Sequence, residues 1–188
     1  MRMILYACGR IRGGSVLFRP RYADGMRRMH AAANARSRAL GSEVRDMDEA
    51  FEAVLYADGG SRGNPGPAAS AAVLVDRNGT VVRRVGRFLG VTTNNVAEWT
   101  ALLLGLEAAR ERGVRSLAVR MDSELVVKQL EGAYKVRQPH LRPLYERAKS
   151  LLRHFDRVAV AHVPRRENAE ADRLVNEILD QEASKGGA

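Results

Sequence analysis

The chain has 188 residues, of which 45% are hydrophobic, and a formal net charge of +9. The single cysteine, Cys8, excludes a disulfide framework and a cysteine-based zinc site, and no apolar stretch approaches the roughly 18 residues of a membrane span. These properties favour one globular domain in a reducing compartment, for which we predict the cytoplasm.

The positive charge is concentrated in the first quarter of the chain. Residues 1–46 contain ten arginines and three acidic residues, whereas the remainder contains 21 basic and 19 acidic residues. We predict a poorly ordered basic arm over 1–46, a folded domain over 47–182 and a flexible tail over 183–188. The arm is compatible with attraction to a polyanion, with a solvated tail, with an organelle transit peptide and with a true start at Met47.

The folded part alternates between strand and helix patterns in the order β-β-β-α-β-α-α-β-α. The predicted strands cover 53–58, 68–76, 80–89, 116–121 and 157–163, and the predicted helices cover 94–113, 122–132, 141–155 and 168–181. The first three strands form an antiparallel meander. This order predicts an α/β fold in which helices pack against a five-stranded mixed sheet.

Four carboxylates stand where strands end or helices begin. Asp58 and Asp122 close two apolar strands. Glu98 lies in the first turn of the long helix, on a stripe of small and apolar residues, and Asp172 lies early in the last helix. Because strand ends and helix starts meet at one edge of an open α/β sheet, we predict that these acids share a site.

Three of the acids also have local structural interpretations. Asp122 could cap the helix that follows it, and Asp172 could complement a helix dipole. Asn95 and Glu98 match the spacing of a capping box. Asp58 has no such role, because a loop rather than a helix is predicted after it. Four clustered carboxylates would repel one another unless divalent cations lay between them, and oxygen ligands favour Mg²⁺ or Mn²⁺ over zinc.

The segment after Asp58, GGSRGNPGP, contains four glycines and two prolines in nine residues. A phosphate-binding P-loop is disfavoured, because the GK[ST] ending is missing and a strand follows instead of a helix. Glycines at such a position allow backbone groups to approach a ligand closely.

Four segments taken in order resemble the motifs of ribonuclease H type 1. They are DGGSRGNPGPAA, TTNNVAEWTALLLGL, MDSELVVKQLEGAYKV and HVPRRENAEADRLVN, spread over roughly residues 52–180. The resemblance implies an RNase H-like fold, with three antiparallel strands, two added parallel strands and flanking helices. The missing basic handle and loop histidine place the chain with a short subgroup of that family.

The resemblance implies hydrolysis of the RNA strand of RNA/DNA hybrids by a two-metal-ion mechanism, giving 5′-phosphate and 3′-hydroxyl ends. Asp58 would bridge two Mg²⁺ ions, for which Mn²⁺ is a substitute. Asp172 would hold the ion that activates water, and Glu98 and Asp122 the ion at the leaving oxygen. We expect a monomer that needs no small-molecule cofactor. The alternatives are a non-catalytic hybrid-binding module and a DNA nuclease of the same superfamily.

The resemblance also implies a substrate-binding set that reads the minor groove, where the RNA 2′-hydroxyls are exposed, and that contacts phosphate. Its members are Gly59, Gly60, Asn64, Thr93, Asn94, Asn95 and Arg165.

Several residues depart from the family pattern. Glu124 replaces a frequent glutamine and is left out of the binding set. His162 lies within a strand pattern, which favours a place in the core or at a strand edge. Either His162 or one of Arg165 and Arg166 would then take the role of the loop histidine that assists product release. Either the run 134–142, which contains several basic residues, or the arm is expected to replace the missing handle.

Overall fold

The computed structural model describes residues 3–6 and 51–185. Within them the strands are β1 (Met3–Tyr6), β2 (Ala53–Ser61), β3 (Gly66–Asp76), β4 (Val81–Thr92), β5 (Ser116–Met121) and β6 (Arg157–His162). The α-helices are α1 (Asn94–Glu111), α2 (Glu124–Leu130), α3 (Arg142–Leu152) and α4 (Ala169–Lys185), with short 3₁₀ turns at Pro139–Leu141 and Arg165–Glu167.

The strands form one sheet in the order β1-β6-β5-β2-β3-β4. Strands β2, β3 and β4 pair as an antiparallel meander, and β5 and β6 extend it in parallel from β2. The predicted five-stranded mixed sheet is therefore confirmed. Strand β1 adds a sixth member by pairing in parallel with β6. The rest of the predicted arm and the last three residues lie outside the described part of the chain, so the proposed division into arm, domain and tail stays a prediction.

The main core lies between one face of the sheet and helices α1, α2 and α3. Alternate residues of β2, including Leu55, point into this core, where they meet Trp99 and Leu102 of α1. Helix α4 packs on the opposite face, where Val175 and Leu179 form an apolar cluster with Ala69 and Ala71. No helix in residues 3–6 and 51–185 is long and apolar enough to cross a membrane.

Helix α1 begins two residues earlier than a capping box at Asn95 requires. Thr93 is the N-cap, and its Oγ1 accepts a hydrogen bond from the Val96 amide at 3.4 Å. Asn95 is already inside the helix, so the capping-box interpretation is wrong. The Glu98 side chain therefore has no role in a capping box.

Strand β2 is longer than predicted. Asp58 does not close the strand, because β3 continues beside it and pairs Gly59 and Gly60 with Ser70 and Ala69. The parallel neighbour β5 ends earlier, with its last residue, Met121, opposite Ala57. Small residues on both strands keep the antiparallel ladder regular, where the composition had predicted a loop.

Candidate metal centre

The parallel pairing of β2 with the end of β5 places Asp58 beside Asp122. Ala57 of β2 and Met121 of β5 are register partners, and each acid is the next residue along its strand. Because the strands run in the same direction, both carboxylates emerge at the same sheet edge. Asp122 is not a helix cap, since the N-cap of α2 is Ser123.

A close approach between α1 and β2 brings Glu98 to the same place. A Cβ at Gly59 would lie 2.2 Å from the carbonyl carbon of Ala97, so the helix start rests directly on the strand backbone. Ser70 adds a hydrogen bond from its Oγ to the Ala97 carbonyl oxygen at 2.6 Å. One ligand oxygen from each of Asp58, Glu98 and Asp122 then lies within 4.8 Å of the others.

Asp58 and Glu98 are the buried members of this cluster, each 6% exposed. Burial, followed by repulsion from Asp122 and Asp172, raises the pKa of Asp58 to about 7. Burial and the neighbouring Asp58 raise the pKa of Glu98 well above its ordinary value. Arg165 and backbone hydrogen bonds from Gly59 oppose these pKa shifts but do not cancel them. The pair is therefore stable in its charged form only if additional positive charge is supplied.

The donor set fits a hard divalent cation. All three clustered side chains offer carboxylate oxygens, which Mg²⁺ and Mn²⁺ prefer and which are less suited to softer metals. Oε2 of Glu98 is buried and has no hydrogen-bond partner among the described residues. A buried, unpartnered carboxylate oxygen beside two other acids is expected where a cation binds.

Asp172 occupies the more open side of the site, in the first turn of α4. Its Oδ1 accepts hydrogen bonds from the Arg165 guanidinium, one of them from Nε at 3.1 Å. This contact raises the pKa of Arg165. Asp122 accepts a hydrogen bond from Nδ2 of Asn168 at 2.7 Å.

All four acids line one groove of about 250 Å³, which we call the acidic groove. Its walls include the backbone of Gly59 and Gly60 and the side chains of Asn94 and Arg165. The four sequence-predicted carboxylates are thus brought together by four elements, namely β2, α1, the end of β5 and α4.

Comparison with known proteins identifies the family. A family model described as reverse transcriptase-like matches residues 56–178. Ribonuclease HI from Halobacterium salinarum is 50% identical over 125 residues, which cover 66% of this chain and 63% of that protein. The chain belongs to the ribonuclease H type 1 family.

Solved structures agree with this assignment. The N-terminal RNase H domain of Rv2228c from Mycobacterium tuberculosis is 43% identical, with a TM-score of 0.70 over 73% of this chain and 99% of that domain. The full Rv2228c, called a bifunctional protein, is matched over 38% of its length. LC11-RNase H1, solved in complex with an RNA/DNA hybrid, is 39% identical, with a TM-score of 0.66 over 70% of this chain and 99% of that protein.

The substrate-binding residues implied by the ribonuclease H motifs lie in two groups. Four of them line the acidic groove: Gly59, Gly60, Asn94 and Arg165. The other three surround the start of α1 without lining the groove. Asn64 Oδ1 accepts a hydrogen bond from the Asn94 amide at 3.1 Å, Thr93 caps the helix, and Asn95 lies in its first turn. Their contacts with nucleic acid stay predictions.

Two residues outside the implied set sharpen the description of this ribonuclease H site. His162 is the exposed last residue of β6, as its strand pattern predicted, and does not line the acidic groove. Glu124 pairs with Lys128 on α2 and also lies outside it.

Sequence reasoning missed Asn168 and three further residues that line the acidic groove, Ser61, Arg62 and Asn176. Asn168 had one sequence signal, its position before an acidic helix start, which indicated a helix boundary and nothing about the site. Nothing in the pattern indicated that its side chain reaches a carboxylate on β5.

Proposed function

We propose that this chain is an endoribonuclease that hydrolyses the RNA strand of RNA/DNA hybrids and leaves 5′-phosphate and 3′-hydroxyl ends. The observation that carries the proposal is the buried cluster of Asp58, Glu98 and Asp122, with Asp172 on the open side of the same groove. A relative whose solved complex contains an RNA/DNA hybrid supports the choice of substrate.

The acids would hold two Mg²⁺ ions, with Mn²⁺ as a substitute. Asp58 would contact both ions, Glu98 and Asp122 would complete one site, and Asp172 would complete the other. Such cations, when bound, neutralise charge at a reacting phosphate and lower the pKa of water. The unpartnered Oε2 of Glu98 and the raised pKa values of Asp58 and Glu98 support this donor assignment.

The residues around the acids orient them and receive the substrate. The Gly59 backbone and the Ser70 hydroxyl fix α1 on the sheet, and so fix the depth of Glu98. Arg165 holds the carboxylate of Asp172 and presents a cation at the groove mouth, where it can meet phosphate. Asn94 and the Gly60 backbone offer polar groups to a minor groove, in which the 2′-hydroxyl distinguishes RNA from DNA.

We further propose that the protein acts as a monomer in the cytoplasm. All of the carboxylates that the reaction needs come from one chain, so the site is complete without a second copy.

A cleavage assay tests the proposal. End-labelled RNA would be presented as an RNA/DNA hybrid, as a single strand and as an RNA/RNA duplex, each with Mg²⁺ or with EDTA. We expect cleavage of the hybrid only, with Mg²⁺ only. The variant Asp122→Asn should bind the hybrid and fail to cut it, because it keeps the groove and loses a charged ligand.

Two results would contradict this account. Binding of the hybrid without cleavage in Mg²⁺ or Mn²⁺ would indicate a non-catalytic module. Turnover by Asp122→Asn comparable to that of the parent would refute the assignment of the metal ligands.

A further inference from the structure

Asn168 joins the two sides of the site through its side-chain amide. The residue is 0% exposed, and Nδ2 donates to Oδ1 of Asp122 at 2.7 Å and to the carbonyl oxygen of Ala57 at 3.0 Å. Both partners are acceptors, so the amide must present its nitrogen to them. Ala57 immediately precedes Asp58, and Asn168 therefore contacts two neighbouring strands at the point where the acids emerge.

The backbone of Asn168 connects this point to the open side of the site. Its amide donates to the Arg165 carbonyl oxygen at 3.0 Å, which closes the turn that carries Arg165. Its carbonyl oxygen accepts from the amide of Asp172 at 3.1 Å, the first helical hydrogen bond of α4. One residue thus fixes the start of α4 against the middle of β2 and the end of β5.

We propose that Asn168 is a positioning residue of the metal centre. Its amide holds the carboxylate of Asp122 in one orientation and sets the separation of Asp172 from Asp58 and Asp122. Among residues 51–185, Asn168 Nδ2 is the side-chain group that donates a hydrogen bond to Asp122, so removing it frees that carboxylate to rotate. The inference rests on the proposed function for its activity readout, but not for its metal-binding readout.

A purely structural role for Asn168 would change different measured properties from a role in positioning a metal ligand. A buried amide that serves only the fold stabilises the protein, and its loss lowers the melting temperature without changing the intrinsic metal affinity at a temperature well below melting. A residue that orients a ligand changes metal affinity, and loss of such hydrogen-bonded support typically lowers affinity or activity by about 10- to 100-fold.

The test compares Asn168→Ala with Gln129→Ala. Gln129 is also buried, at 5% exposure, and accepts a hydrogen bond from Trp99 Nε1 at 3.3 Å on the core side of α2, away from the groove. Mn²⁺ would be titrated into each full-length protein by calorimetry well below its melting temperature, and kcat and KM for the hybrid would be measured at saturating metal. If Asn168→Ala does not fold, Asn168→Ser provides the same comparison with a smaller loss of packing.

We expect Asn168→Ala to bind Mn²⁺ about 10-fold more weakly. KM for the hybrid at saturating metal should stay within about twofold while kcat falls, because the substrate-contacting wall is unchanged. Gln129→Ala should melt at a lower temperature and bind Mn²⁺ like the parent.

Parental Mn²⁺ affinity in the Asn168 variant would overturn the proposal, as would an equal loss in Gln129→Ala. If the parent binds Mn²⁺ yet cuts no hybrid, the proposed function fails while the calorimetric comparison still decides the role of Asn168.

Discussion

The carboxylates in the buried half of the acidic groove differ from the one in the open half in exposure to solvent and in contact with a cation. Asp58 and Glu98 lie almost out of solvent, with pKa values that stay raised despite Arg165. Asp172, at the groove mouth, is held directly by Arg165. The same residue type is therefore left uncompensated in one half and paired in the other.

This difference indicates which acids provide the attraction for cations. A buried carboxylate with no cationic partner gains much from a divalent ion, because the ion removes both the desolvation penalty and the mutual repulsion. A carboxylate that already has a guanidinium partner gains less. We expect Asp58 and Glu98 to dominate metal binding and Asp172 to adjust geometry and substrate contact.

Removing a carboxylate from each half should give the largest contrast. Asp58→Asn should lower hybrid cleavage by about 10³-fold or more, the size expected when several kcal/mol of charge stabilisation are lost from a transition state. Asp172→Asn should lower it by about 10-fold, because that acid is partly compensated by Arg165. Single-turnover rates at matched Mg²⁺ measure both. Equal losses in the two variants would contradict the division into two halves.

Adding a Cβ where β2 lies close to α1 should have different effects at the two adjacent glycines, Gly59 and Gly60. In Gly59→Ala the new Cβ meets backbone atoms of α1 at 2.2–2.4 Å, so the helix start and Glu98 must move. In Gly60→Ala it meets only Cγ1 of Val175, at 3.0 Å, a side-chain atom that can shift. We expect Gly59→Ala to destabilise by about 3 kcal/mol and Gly60→Ala by about 1 kcal/mol in denaturant unfolding, and similar losses would contradict the packing argument.

The stability of the metal-free protein should fall as the pH rises. The folded state holds a proton on Asp58 up to about pH 7, whereas the unfolded chain releases it near pH 3.8. This group therefore adds stability at low pH that is lost as the pH rises through about 7, with a total of a few kcal/mol. Melting temperatures in EDTA from pH 5 to pH 8 measure the effect, with Asp58→Asn as the reference.

As the pH rises, the melting temperature of the parent should fall relative to that of Asp58→Asn. Adding Mg²⁺ at pH 8 should raise the melting temperature of the parent again. A parallel pH dependence in the two proteins would show that Asp58 titrates normally.

Removing the positive charge of Arg165 in the open half should have the smallest effect. Arg165→Met should raise KM for the hybrid by a few-fold and reduce the slope of log affinity against log salt by about 1, as expected for one lost phosphate contact. Arg166→Met is the matched control, since Arg166 lies beside Glu167 and does not line the groove. An unchanged salt slope in Arg165→Met would remove Arg165 from the substrate contacts.

The sequence predicted the acids because each occupies a position that local rules can recognise. Asp58 and Asp122 follow apolar runs, and Glu98 lies on a helical stripe with Leu102, so period and polarity alone indicate a shared edge. Element order and type were recovered for the same reason, and the longest helix, α1, was placed within two residues at each end.

What the sequence did not predict depends on contacts between distant segments. The continuation of β2 through Gly59 requires β3 beside it, and composition alone indicated a loop. The bond from Asn168 to Asp122 joins residues 46 positions apart and has no local signature. Strand β1 pairs with β6, which lies far from it in the sequence, and the four residues of β1 are too few for a periodic pattern.

The central claim is that the buried acids bind the cations that hybrid cleavage requires. The most direct measurement is anomalous diffraction from crystals of the Asp122→Asn variant grown with Mn²⁺ and a short RNA/DNA hybrid, since this variant should bind the hybrid without cutting it. We predict Mn²⁺ bound by Asp58, with Glu98 contributing a further ligand beside an RNA phosphate. Mn²⁺ bound elsewhere, or a hybrid seated away from the acidic groove, would contradict the account.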